Sequence, residues 1–131
     1  MSRLVIGIGF REEASAQSIS EVLTAVAARA GRPAAETVLA VPQDKAAHPE
    51  LCAAARTGHL PIHSASADAM READARVMTR SERAKTRRNV GSVCEAAALA
   101  VAGADARLIV TRIVSADRHA TAAAAIEDAA S

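Results

Sequence analysis

Residues 92–102, Ser-Val-Cys-Glu-Ala-Ala-Ala-Leu-Ala-Val-Ala, carry a single charge, Glu95. Ser92 with Glu95 three positions later fits a capping box, in which the Ser oxygen and the Glu carboxylate answer free backbone N–H groups at a helix start. A helix this poor in charge is normally buried or pressed against a partner. The rest of the chain must therefore supply the surfaces that cover it. Directly before it lies the opposite kind of segment. The nine residues Arg80 to Arg88 hold five cations and one acid, a local balance of +4 against +1 for the whole chain, which leaves −3 elsewhere. A helix N-terminus carries roughly half a positive charge and unpaired donors, and arginine adds planar forks suited to carboxylate or phosphate. The junction reads as an anion-docking edge; the plain alternative is a solvated loop that does no more than keep the chain in solution.

With 131 residues the chain has room for one core, and a single domain spanning residues 1–131 is expected. Half of the residues are apolar, but Phe10 is the only aromatic. Such a core packs in thin, close layers, and oligomerisation would bury more surface. No apolar run approaches the roughly 20 residues that span a bilayer, and no secretory signal opens the chain. Cys52 and Cys94 read as free thiols of a cytoplasmic protein rather than as a disulfide.

Arg3–Phe10 is a β-branched apolar run with the profile of a buried strand. Gly7, Gly9, Phe10 and Arg11 are then expected to turn, with Ser15 capping a helix whose apolar face is Ile19, Val22, Leu23, Val26 and Ala27. Gly31 and Pro33 end that helix. Thr37–Val41 is a second strand, Pro49 opens a helix that runs to Gly58, and Leu60–His63 is a short third strand. Ser66–Met70 allows one helical turn, and residues 71–80 lead as a long loop into the basic run. Gly103 closes the helix over 92–102, Arg107–Val110 is a fourth strand, and 113–119 is a turn. Ala120–Ile126 returns as an antiparallel fifth strand, with helix left open because the segment is so rich in alanine. The order defines an α/β chain, three-layer α/β/α, with a mainly parallel five-stranded sheet and an antiparallel last strand.

Several chemistries find no support. The dinucleotide fingerprint needs a third glycine where Glu12 stands, and no Walker pattern occurs. Pro61 between His59 and His63 favours extended chain, and neither cysteine has a second ligand at CxxC spacing, so neither a metal nor another cofactor is expected. No nucleophile elbow is present. His63, Asp68, Glu95, Asp117 and His119 have acid–base chemistry but no partner at a telling spacing, so no catalytic residue is assigned. A near-neutral total charge and the lack of Tyr and Trp speak against nucleic acid. The candidate binding residues are Gly9, Phe10, Arg11 and Ser15 at the glycine bend, Arg83, Lys85, Arg87 and Arg88 in the basic run, Gly91 and Ser92 at the helix start, and Arg112 on the far hairpin.

Gly7-Ile-Gly-Phe-Arg11 with Ala14-Ser15, then Arg87-Arg-Asn-Val-Gly-Ser-Val-Cys-Glu-Ala-Ala-Ala-Leu99, then Leu108-Ile-Val-Thr-Arg-Ile-Val-Ser115 with Ala120-Thr121 together resemble the CobE/CbiG C-terminal domain family of cobalamin (vitamin B12) biosynthesis. The blocks occur in order across nearly the whole chain, and the middle one is the most specific. Thr111 stands where that family commonly has Pro, and Arg118 where it commonly has Gly. The resemblance implies a three-layer α/β/α fold and a place in corrin-ring synthesis. Its larger members, in which this domain is fused to other regions, open the lactone of cobalt-precorrin-5A with water and release acetaldehyde. This chain is too short for those regions and resembles the stand-alone form, for which the family suggests binding or handing on a corrinoid intermediate to other pathway enzymes. Such intermediates carry many carboxylates around an apolar ring, a good match for clustered cations beside a non-polar shelf.

Overall fold

The computed structural model describes residues 2–31, 36–88 and 90–128. In chain order the elements are β1 (Ser2–Phe10), α1 (Ala16–Ala30), β2 (Glu36–Pro42), α2 (Pro49–Gly58), β3 (Ile62–Ala65), α3 (Ala67–Ala73), α4 (Glu82–Arg88), α5 (Val93–Ala102), β4 (Arg107–Val114) and β5 (Ala120–Asp128). Single 3-10 turns lie at Gln43–Lys45 and Asp74–Arg76. The strands form one sheet in the order β3-β2-β1-β5-β4. β1, β2 and β3 run parallel, while β5 pairs antiparallel with both β1 and β4. The antiparallel strand expected from sequence is thus present, inserted between β1 and β4.

Helices cover both faces. Ile19, Val22, Leu23 and Val26 of α1, with Leu51, Ala54 and Ala55 of α2, pack on Leu4, Ile6 and Ile8 of β1 and on Leu39 and Val41 of β2. On the other face Ala96, Ala97, Ala98 and Leu99 of α5 join Val5, Val38, Ala40 and Ala125. Met70, Ala73 and Val77 close over that cluster from outside. The weakly charged helix is therefore sandwiched, as its composition requires. Local start and stop signals act where they stand in the sequence. The Ser15 oxygen accepts from Ser18 N–H at the start of α1, and Gly31 ends that helix at φ +58°. Pro49 opens α2 beneath a His48 cap. Gly103 closes α5 at φ +107°. The expected breaker Pro33 lies outside the described residues.

Four expectations are corrected. Gly7 and Gly9 do not turn the chain; they lie within β1, on the face that meets α5. A Cβ on Gly7 would sit 1.9 Å from the Cys94 carbonyl oxygen, so glycine is required by the close approach of a helix to a strand. Residues 71–80 and the basic run are not one long loop. Ser66 caps α3 by accepting from Ala69 N–H, and Ser81 accepts from Ala84 N–H at the start of α4. Both helices are too short to print a clear period on the sequence. Residues 113 and 114 belong to β4, whose pairing with β5 is irregular between Leu108 and Ile113. Finally, the third strand begins two residues late, at Ile62. The alanine-rich return is a strand because both of its edges are paired, which outweighs alanine's preference for helix.

Candidate functional site

A cleft of about 600 Å³ opens at the carboxyl ends of the parallel strands, the edge at which open α/β sheets receive ligands. Its floor is apolar: Ile8, Gly9 and Phe10 from the end of β1, Val114 from β4, Pro42 from β2 and Val93 from α5. The lining also includes the cations Arg11, Arg112, Arg118 and Lys45 and the acids Glu12, Glu13 and Asp44. Ser81, Ala84 and Ser92 close the side beneath α4. Among the described residues, Arg11, Arg112 and Arg118 take part in no ion pair.

The candidate residues divide. Gly9, Phe10, Arg11, Ser92 and Arg112, drawn from three distant stretches, meet on the cleft. Ser15 does not line it, because its hydroxyl caps α1 and contacts Ser18 Oγ at 3.1 Å. Lys85 is exposed on α4 and does not line it either. The side chains of Arg83, Arg87 and Arg88 lie outside the described residues. Gly91 N–H, counted as a free donor for an anion, donates to Asp74 Oδ1 at 2.7 Å. That bond, followed by the Arg80 guanidinium at 3.2 Å, holds the Asp74 carboxyl below its ordinary range. With Ser81 N–H donating to Gly91 C=O at 2.7 Å, the two ends of the α4 segment are tied together beside the cleft.

The capping box does not form. Ser92 makes no side-chain capping bond, and its hydroxyl lies 3.6 Å from Cys94 Sγ. Burial pushes the Cys94 thiol pKa up, so the thiol stays protonated. Glu95 is fully buried and reaches sideways rather than back. Its Oε1 accepts from Met78 N–H at 2.7 Å and Thr79 N–H at 2.9 Å. Its Oε2 accepts from the Thr79 hydroxyl and from Arg112 N–H, both at 2.8 Å. One carboxylate thus fixes the 78–79 segment and the irregular part of β4 that presents Arg112. No spacing rule signals this, because all of its partners are distant in sequence.

Two further clusters border the cleft. Lys45 Nζ pairs with Glu12 Oε2 at 2.9 Å and lies 5.0 Å from the Phe10 ring centroid. Hydrogen bonding and charge from Lys45 lower the Glu12 carboxyl pKa. His48 meets the Phe10 ring edge-on at 5.0 Å and Glu12 Oε1 at 3.3 Å. In the β4–β5 turn, Asp117 accepts from the Ser115 hydroxyl at 2.6 Å, from Ser18 Oγ, and from His119 N–H at 3.0 Å. These bonds, Ser115 first, hold the Asp117 carboxyl far below its ordinary value of 3.8. Its contribution to stability is complete above that value and is lost as pH falls towards the lowered folded pKa. Between about pH 5 and pH 2 the urea midpoint of the parent should therefore fall more steeply than that of Asp117→Asn. Parallel slopes would show that the turn does not depend on the ionised carboxylate.

The binding residues expected from sequence do not include Lys45, Arg118 or His119, which also line the cleft; His119 is expected there only as a group with acid–base chemistry. Lys45 follows the end of β2, and the strand-end rule that drew attention to Arg11 applies equally to it. His59 ends α2 in the left-handed region and His63 lies on β3. No group of three His, Cys, Asp or Glu among the described residues is placed to hold a metal ion. Among those residues, no helix is long and apolar enough to cross a membrane.

The model of the family described as cobalamin synthesis G C-terminus matches residues 4–125. The chain is similar to the crystal structure of CobE, a protein from the cobalamin (vitamin B12) biosynthetic pathway, at 30% identity and a TM-score of 0.84, over 95% of this chain and 90% of that one. It is also similar to the cobalamin biosynthesis protein chiG from Agrobacterium tumefaciens str. C58, at 32% identity and a TM-score of 0.68, over 93% of this chain and 96% of that one. No curated protein matches it significantly. The chain belongs to the cobalamin synthesis G C-terminus family, the CobE/CbiG type of cobalamin-biosynthesis protein.

Proposed function

We propose that the cleft binds a polycarboxylate corrinoid intermediate and that the protein carries it, in the cytoplasm, between enzymes of the pathway. The observation that supports this most is the trio Arg11, Arg112 and Arg118 set around an apolar floor without ion-pair partners among the described residues. Unpaired guanidinium groups suit ring carboxylates, while Phe10, Val93 and Val114 suit the face of a macrocycle. The cleft is open, so a large ring enters edge first with part of it left accessible to a receiving enzyme.

A lactone-opening hydrolase needs a base to activate water. Glu12 is a poor one, because it is solvent-exposed and its pKa is lowered by Lys45. Glu95 already accepts four hydrogen bonds. His119 lines the cleft with Nδ1 3.7 Å from Asp117 Oδ2, and this pair is the base the hydrolase reading would use. Arg11→Ala with Arg112→Ala should weaken binding of cobyrinic acid by at least about tenfold, read by absorbance titration, with an unchanged circular dichroism spectrum. Equal affinity would remove the cleft from the reading. Acetaldehyde released from a lactone-bearing precorrin by the purified protein would favour the hydrolase instead.

A further inference from the structure

We infer that Arg118 is a ligand-contacting, affinity-setting cation of this cleft, selective for carboxylate groups at the rim of the bound ring; this rests on the polycarboxylate reading above. The backbone of Arg118 has φ +64°. Glycine adopts that conformation freely, and a residue with a Cβ adopts it at a cost. The turn does not need an arginine to close. Ser115 N–H donates to Ala120 C=O and Arg118 N–H donates to Ser115 C=O, both at 2.9 Å. The adjacent acid, Asp117, is engaged by Ser115, Ser18 and His119 N–H rather than by the guanidinium.

No hydrogen bond or ion pair from the Arg118 side chain to another described residue offsets the backbone cost, yet that side chain lines the cleft. Its placement is fixed relative to a second cleft arginine, because Arg11 N–H donates to His119 C=O at 2.9 Å. A third, Arg112, is fixed through Glu95 at 2.8 Å. Three guanidinium groups on pinned backbones thus face one opening. That arrangement suits a ligand with several separated acids better than a single anion. Strain kept at a site-lining residue with no structural return among the described residues points to use by a ligand.

A ligand-contacting role and a purely structural one predict opposite behaviour on substitution of Arg118, which makes the assignment testable. Parent, Arg118→Gly, Arg118→Asn and Arg118→Lys would be compared by thermal unfolding and by absorbance titration with cobyrinic acid and with its methyl ester. Glycine and asparagine both tolerate the left-handed region. Both variants should unfold no lower than the parent, Arg118→Gly higher by about 2–4 °C. Both should bind the acid about five- to tenfold more weakly, and Arg118→Lys should keep most of the affinity. A parent that prefers the acid to the ester, alongside Gly and Asn variants within about twofold of its affinity, overturns the role of Arg118 alone. A parent that treats acid and ester alike overturns the carboxylate reading of the cleft, and this role with it.

Discussion

Gly7→Ala is expected to destabilise the protein by about 3 kcal/mol or more, at or above the upper end of what overpacking a core usually costs. The added Cβ would lie 1.9 Å from the Cys94 carbonyl oxygen, 2.8 Å from Ala98 N and 2.9 Å from Ala98 Cβ. Two of those atoms are backbone, so no rotamer change relieves the contact. α5 would have to lift away from β1, against its packing on the sheet and under Met70, Ala73 and Val77. Gly9→Ala provides the internal comparison. Its Cβ meets Thr121 Oγ1 at 2.8 Å, which a side-chain rotation can move, and Val93 Cβ and Cγ1 at 3.3 Å, a contact that a shift of a few tenths of an ångström relieves. A cost of about 1 kcal/mol or less is expected there. Guanidinium unfolding midpoints read both, and equal small losses would mean that helix and strand are not in close contact.

Glu95→Ala should cost about 4 kcal/mol or more, enough to leave little folded protein if the parent has ordinary stability. The substitution orphans the N–H groups of Met78, Thr79 and Arg112 and the Thr79 hydroxyl. A buried donor without an acceptor costs about 1–3 kcal/mol, and these are part-buried, so each contributes towards the lower end of that range. Glu95→Gln separates shape from charge. It keeps one carbonyl oxygen for Met78 and Thr79 but turns an NH2 towards Arg112 N–H, so about 2 kcal/mol is expected. Because that bond fixes the part of β4 that presents Arg112, the Gln variant should also bind cobyrinic acid more weakly. A Gln variant as stable as the parent would show that Glu95 merely fills space.

What the sequence could disclose follows from how local each cause is. Ser15, Gly31, Pro49 and Gly103 act within a turn of their own positions, and the helix boundaries they mark were legible. Strands β1 and β2 were legible because both faces are buried, which leaves unbroken apolar runs. Causes that act across the chain were not. Ser92 and Glu95 have the spacing of a capping box, yet Glu95 finds partners at 78–79 and 112 that no pattern at 92–95 announces. Gly7 and Gly9 look like turn residues until α5, almost ninety positions later, is laid against them. Part of the cleft could be anticipated, since Arg11, Ser92 and Arg112 were singled out and do meet. Lys45 and Arg118 join them only through the sheet order, which sets the ends of β2, β1, β5 and β4 side by side. The acids Glu12, Glu13 and Asp44 arrive by the same route, so the opening is more mixed in charge than the basic run suggested.

The central claim is that the opening at the strand ends grips a macrocycle through its acid side chains. A crystal structure of the protein with cobyrinic acid tests it most directly. The account predicts a face of the ring against Phe10, Val93 and Val114, with ring carboxylates within about 3 Å of Arg11 and Arg112. A ring bound elsewhere on the molecule, or one seated in the cleft with its carboxylates turned away from both arginines, would contradict it.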